Sequence, residues 1–479
     1  MEDTLQSLTQ KFINFFSNSS FYYICNDPER ALGLEKIIPN FHVIYIDKSS
    51  YTEIFEKEKI NHFCWQDHLP EGALTYRNSY KLLKSLEFAK YFAQTKSEVN
   101  YFQTFKISPA FMKKVKDFGG VLINTDASLN RRFEDKLSQF REISNLGISM
   151  PKGEILEIEK INYMDFLKKY GDKFVIQFDR GHTGSGTVFV KDEKDLDILK
   201  EKFPQREVRV AEFVHGVAYT FNAVVGSKGI YCGGLSRQIT GVPELTINEG
   251  GTVGNDFYYR AELIKGIDQI IKDANLIGQS MQSAGYRGLF GLDIIIEPDG
   301  GHKIIEINAR QPASIPFFTK IQLQQGQIPL SMIHVAEFVG IPYNIDPAKY
   351  SAEAMSPMEF SQIFVRSFKN YTLEFPLKSG IYRLQGDNAA IDRASAVVRP
   401  NTIFLDEDRD KALLFQKDGY SVNDIQTGGF LLLTPFKGRE LKTNDELGRI
   451  QIKGSAFNAN GDLNGWIIDS LSAIKNYQS

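Results

Sequence analysis

At 479 residues the chain is too long for one ordinary core, and length alone leads us to expect about three domains of roughly 150 residues each. It is 42% hydrophobic and 24% charged, with a net charge of -3, and so offers no basic footprint for nucleic acid or an anionic membrane surface. The 3 cysteines, Cys25, Cys64 and Cys232, are far apart and form no CxxC pair, which argues against a disulfide framework or a structural zinc site and suits a reducing cytosol.

In chain order, the N-terminus MEDTLQSLTQKFINFF lacks a basic-then-apolar signal pattern. No apolar run approaches the ~18–20 residues of a membrane span, so a cytoplasmic location is expected. FYYIC (21–25), HVIYI (42–46) and HFCW (62–65) read as short buried strands separated by polar crossovers, the pattern of a small α/β unit. A helix is expected near 79–94, a strand at 121–124 and a helical stretch over 133–146, before Pro151 and Gly153 punctuate the chain. From 174 to 310 the pattern becomes strand, glycine loop and strand, then a helix near 259–284, then a hairpin. Another helix is expected at 329–339, a strand at 429–436 and a closing helix at 466–476.

The hairpin GLFGLDIIIEPDGGHKIIEINAR (288–310) raises a question of register. If the loop is Asp299-Gly300, or the four residues 298–301, Glu297 faces His302 and Asp293 lies across from Glu306. The strand period of two then puts Asp293, Glu306 and Asn308 on one face, with Gly291 leaving open space opposite Asn308. Ile294, Ile296, Ile305 and Ile307 turn into a core. Opposed carboxylates repel, so a positive group should lie between them. Three oxygen donors without His or Cys suit a hard cation such as Mg²⁺, usually completed by phosphate oxygens. The competing reading is a solvent-facing hairpin with ordinary surface acids.

FVIQFDRGHTGSGTVFV (174–190) is a second strand–loop–strand, whose Gly181, Gly184 and Gly186 can expose backbone N–H groups to an anion. It is neither a P-loop nor a GxGxxG opening a helix.

Taken in order, Asp135-Lys136, NLGISMP (145–151), the glycine loop, VAEFVHG (210–216) and FGLD…EINAR resemble the ATP-grasp superfamily over about residues 125–312. The resemblance implies a three-part α/β and α+β architecture. Its parts are an N-terminal α/β domain (1–128) similar to the one preceding such modules, an ATP-grasp domain of two α+β subdomains (129–340) with a nucleotide lid around 150–215, and a C-terminal α+β domain (341–479). Carried over by position, Asp293, Glu306 and Asn308 resemble the Mg²⁺ ligands, with Mn²⁺ as an alternative ion. Asp293 and Glu306 thereby also help hold the nucleotide. Lys136 resembles the lysine reaching the nucleotide phosphates, and Thr183, Gly184, Ser185 and Gly186 the loop that closes over them. Glu212, Phe213 and Val214 fall at the adenine hinge. Arg310 matches the arginine that stabilises the transferred phosphoryl group, and Arg237 and Gln238 fall in a region that often contacts phosphate or substrate. Two positions depart from the pattern: Gln177 stands where a second nucleotide lysine is usual, and the acid common after the hinge glycine is absent at Val217-Ala218.

The resemblance implies a ligase that joins a carboxylic acid to an amine through an acyl-phosphate, using ATP and releasing ADP and phosphate. This fits the absence of a Ser–His–Asp or Cys–His constellation. A biotin-carboxylase-like enzyme acting through carboxyphosphate is a second reading, although the nearest approach to a biotin-carrier motif, Ala354-Met355-Ser356-Pro357-Met358, has no lysine. A non-catalytic nucleotide-binding module, suggested by Gln177 and Ala218, is the third. The expected partners are a small-molecule carboxylate and amine, with no nucleic acid and no membrane, and a homodimer is common in similar proteins.

Overall fold

The structure, a computed structural model, describes residues 2–70, 78–179, 186–247, 250–258, 266–356, 358–374, 376–385, 402–404, 412–426, 428–435 and 438–478. Its first unit is a parallel sheet of β1 (Ser19–Ile24), β2 (Phe41–Tyr45), β3 (Asn61–Cys64), β4 (Val99–Thr104) and β5 (Val121–Leu122), in the order β3-β2-β1-β4-β5. Every residue of β1 and β2 is buried, as expected of strands covered on both faces. The helix Leu5–Phe16 packs Leu8, Phe12 and Phe16 on one side, one turn apart. The strands expected at 21–25, 42–46, 62–65 and 121–124 are present; β4 was not anticipated. The helix expected at 79–94 is two, Ser79–Lys84 and Leu86–Thr95, because Ser85 turns extended and its hydroxyl caps Phe88 N–H.

Next come four antiparallel strands, β6 (Gly153–Glu157), β7 (Phe174–Gln177), β8 (Thr187–Val190) and β9 (Glu207–Glu212), ordered β6-β9-β7-β8. Phe174, Ile176, Val190, Val208 and Val210 form one face and pack with Phe166, Leu196 and Leu199 of the two covering helices. Gln177 and Arg209 therefore turn to the other face.

The rest is built on one long sheet: β10 (Val217–Gly226), β11 (Gly229–Thr240), β12 (Thr252–Asp256), β13 (Gly288–Ile296), β14 (His302–Asn308) and β15 (Phe360–Arg366), in the order β14-β13-β10-β11-β12-β15. It continues from β15 through Glu446–Lys453, Gly429–Leu433, Gly380–Gln385, Ala412–Lys417 and Thr402–Phe404. The pairing of β12 with β15 carries it across the boundary expected at 340, without interruption. The helix Ile267–Ser283 buries Ile270, Ala274, Ile277 and Met281 against the sheet, while residues 259–265 of the expected helix lie outside the described residues. Leu330–Val339 is buried nearly all round, and Gly340, in the left-handed conformation, ends it. The closing helix spans Gly465–Gln478. The long β10–β11 pair was not anticipated from the sequence. Among the described residues no helix is long and apolar enough to cross a membrane, and the three cysteines are free and buried.

Gly288, where β13 begins, has φ +96°, and a Cβ there would lie 2.4 Å from His334 Nδ1, which accepts Leu289 N–H. Gly288→Ala should therefore lower unfolding free energy by about 1–3 kcal/mol through strain and overpacking. Denaturant titration of the variant checks this; an unchanged midpoint would show that the ring yields freely.

Candidate functional site

The hairpin has the expected register where it matters for chemistry: Asp293 faces Glu306 and Gly291 faces Asn308. Nearer the tip it slips by one residue, so that Ile294 pairs with Ile304 and Ile296, rather than Glu297, faces His302. A β-bulge at Ile305 absorbs the extra residue. The core face is accordingly Leu292, Ile294, Ile304 and Ile307, with Ile296 and Ile305 only partly buried, a correction to the expected set. The space opposite Asn308 is filled by Pro312, whose Cγ would lie 2.6 Å from a Cβ on Gly291.

The stretch 133–146 is two helices, Ala127–Glu134 and Lys136–Ile143. Asp135 breaks it: its carboxylate caps the N–H groups of Leu137 and Ser138, which makes Lys136 the first residue of the second helix. From there Lys136 Nζ reaches Glu306 Oε2 at 3.0 Å and donates to Thr187 Oγ1 at 3.1 Å. The positive group required beside the opposed acids is thus supplied, in this state, by a lysine. Asp293 is held by neutral donors instead: Asn308 Nδ2 at 3.2 Å and Gln238 Nε2 at 2.8 Å. Thr220, its cross-strand partner on β10, bonds Gln238.

Arg310 donates from Nη1 to Asn308 Oδ1 at 2.6 Å and pairs with Glu134 at 3.1 Å. Its guanidinium lies 5.3 Å from the centre of the Phe105 ring, and its buried Nε has no partner. Lys136, Asp293, Glu306, Asn308 and Arg310 therefore form one continuous cluster.

The other expected residues lie apart from it. Gln177 ends β7, cross-strand from Thr187 and Arg209. Glu212 ends β9, and its carboxylate accepts Lys152 N–H at 2.9 Å. Phe213 packs edge-on against Phe189 with Lys173 Nζ 3.7 Å from its ring centre, and Val214 is buried. Gly186 accepts Phe178 N–H at 2.9 Å through its carbonyl. Thr183, Gly184 and Ser185 lie outside the described residues. Arg237 is not brought to the cluster: it leaves β11 on the face opposite Gln238, lies 3.5 Å from the Phe457 ring centre and bonds Gly461 O. Sequence reasoning missed Thr220 and Glu134, and it placed Gln238 in a region that often contacts phosphate or substrate rather than against Asp293. The signal for Thr220 was present, since Thr220 and Asn222 are alternate polar residues in an otherwise apolar strand.

The donor set fits a hard divalent ion. Asp293 and Glu306 offer carboxylate oxygens, and Asn308 can present its amide oxygen once Arg310 turns to a ligand. Among the described residues no group of three or more His, Cys, Asp or Glu side chains is arranged to hold an ion alone. Phosphate and water would have to complete the shell. Burial, and then Glu306, push the Asp293 carboxyl up to about 7. Between the unfolded value near 3.8 and about 7 the folded chain holds a proton that the unfolded chain has released, so stability falls as pH rises through that window. Melts in chelator from pH 4 to 8 should show this fall, shallower in Asp293→Asn and opposed by added divalent ion. Equal slopes in both proteins would count against the strained pair.

Residues 133–314 match the family model of the ATP-grasp domain. No curated protein matches the chain. Solved structures match it along most of its length at low identity. The biotin carboxylase domain of Hydrogenobacter thermophilus 2-oxoglutarate carboxylase, in complex with MgADP, ADP and bicarbonate, aligns with TM-score 0.55 and 12% identity over 91% of this chain and 86% of that one. N5-carboxyaminoimidazole synthetase from Staphylococcus aureus, complexed with ADP, gives 0.53 and 12% over 96% and 98%. The corresponding ribonucleotide synthetase from Thermotoga maritima gives 0.50 and 14% over 96% and 98%. At such identities the likeness speaks for the fold, and with the matched domain and the acid–amide–arginine cluster it leads to one conclusion: the chain carries an ATP-grasp domain over residues 133–314.

Proposed function

We propose that the protein is an ATP-dependent ligase that joins a carboxylic acid to an amine, with release of ADP and phosphate. The observation that carries this reading is the Arg310 guanidinium, bonded to Asn308 beside the two acids while its buried Nε lacks a partner. A buried orphan donor next to carboxylates that need a cation suits a metal-bound phosphoryl group. Asp293, Glu306 and Asn308 would hold Mg²⁺ or Mn²⁺, and an ion bound there would neutralise phosphate oxygens.

The chain's own residues would then orient two displacements. Lys136 would exchange its ion pair with Glu306 for the nucleotide phosphates. The substrate carboxylate attacks the γ-phosphorus and ADP leaves with the bond's electron pair, giving an acyl-phosphate. The amine attacks the acyl carbon, phosphate leaves, and the nitrogen loses a proton. Arg310 would meet the phosphoryl oxygens as charge spreads over them, since its planar fork can bond two at once. We read the enzyme as cytoplasmic, acting on small molecules and able to pair as a homodimer.

A second reading, carboxyphosphate formation from bicarbonate, is favoured by the carboxylase and N5-carboxyaminoimidazole synthetases among the similar folds. A screen for ADP release with ATP, Mg²⁺ and pools of amino acids, with and without bicarbonate, separates the two, and mass spectrometry identifies the product. ADP release that requires bicarbonate selects the second; no ADP release under any condition leaves a nucleotide-binding module.

Nucleotide binding should track divalent ion, because the uncovered acids repel a triphosphate. Calorimetry is expected to show weaker ATP binding after chelation, and equal affinity with and without Mg²⁺ would remove the metal site. Arg310→Ala should lower kcat by on the order of 10²–10³, or about 3–4 kcal/mol, and Arg310→Lys should recover little because it supplies charge without the fork. Steady-state kinetics with melts alongside decide it: near-normal kcat in a folded Ala variant would reduce Arg310 to a partner of Glu134.

A further inference from the structure

Lys136, Arg209 and Arg449 are the lysine and arginine side chains that are buried among the described residues. Two are neutralised: Lys136 pairs with Glu306 at 3.0 Å, and Arg449 with Glu446 at 2.9 Å and Asp27 at 3.1 Å. Arg209, only 3% exposed, has no carboxylate within ion-pair reach among the described residues. Its Nη1 donates to Gln177 Oε1 at 3.2 Å and its Nη2 to Pro151 O at 3.2 Å, while its buried Nε has no partner. The Phe140 ring centre lies 4.6 Å from the guanidinium. Burial pulls its pKa down to about 10, the mark of a cation held where water does not compensate it. A cation kept under those conditions is poised for an anion.

Its position says which one. Thr187, Gln177 and Arg209 are cross-strand neighbours on β8, β7 and β9 and share one face of the lid sheet. Lys136 bonds Thr187 at one end of this row, and Phe140, one helical turn from Lys136, covers Arg209 at the other. The two cations thus flank the neutral Gln177. Gln177 turns its amide oxygen to Arg209, which leaves its N–H₂ group as a further donor.

We propose that Arg209 is a nucleotide-phosphate ligand, supplying from the neighbouring strand the positive charge that Gln177 lacks. The inference rests on the ATP reading above. Gln177 is then a positioning residue that holds the guanidinium and adds a neutral donor.

Calorimetry with ADP and with adenosine on the full chain tests it. Arg209→Met should weaken ADP binding by on the order of 10- to 100-fold, as for a lost hydrogen bond to a charged group, and leave adenosine binding unchanged. Adding Gln177→Lys to Arg209→Met should restore much of the ADP affinity by returning the charge to β7. Melts should show the Met variant folded, because it removes an unpaired buried charge; if it fails to fold, Arg209→Lys replaces it and should bind ADP more weakly than wild type with adenosine unaffected. ADP affinity unchanged in a folded variant, or ADP and adenosine affinities falling together, overturns the proposal. Wild-type protein that binds neither ligand overturns the ATP reading itself, and the role of Arg209 with it.

Discussion

Two carboxylates that face each other across a β-ladder repel, and everything around Asp293 and Glu306 answers that repulsion. The acids are answered unequally. Glu306 takes the lysine cation, whereas Asp293 is left with amide donors and burial, which favours its protonated form. The pair is therefore incomplete without a further positive group, and that incompleteness gives the site a use for an ion. The supporting structure serves the same constraint. Asp135 starts the helix that aims Lys136, Pro312 fills the space at Gly291, and Glu134 balances Arg310 from the end of the preceding helix.

Lys136 also links two parts of the fold. Its second bond, to Thr187, ties the β6–β9 sheet to the hairpin through one side chain. A ligand that draws the ammonium away from Glu306 would therefore act on both the acid pair and the β6–β9 sheet. Arg449 offers a contrast. Paired with Asp27, Glu29 and Glu446 between the N-terminal unit and the last strands, it has its charge balanced and reads as a structural joint.

The acid pair was legible from the sequence because the PDGG turn suggested a register and the strand period of two then put both acids on one face. Register survived at Asp293 and Glu306 although the turn was assigned one residue wrongly, because the bulge at Ile305 lies between the tip and the acids. Nothing in a run of isoleucines announces a bulge. The β10–β11 pair was missed because Val217–Gly226 is almost wholly buried, so its period is muted, and its partners are set by tertiary context. Helix breaks at Ser85 and Asp135 were hidden for a related reason: each is a single capping residue inside a stretch whose apolar spacing continues past it. Arg237 and Gln238 show the limit of reasoning by region, since adjacent strand residues leave on opposite faces and only Gln238 reaches Asp293.

The unbroken sheet from β14 to the last strands bears on how the chain can be divided. β12 is hydrogen-bonded on one side to β11, which leads back to the acids, and on the other to β15, which lies beyond residue 340. A fragment ending at 340 would expose the backbone N–H and C=O groups of β12 as an open edge, a template for pairing with other chains. The C-terminal region thus acts as an edge guard for the ATP-grasp domain, and the two parts are one folding unit in the sense that matters to solubility.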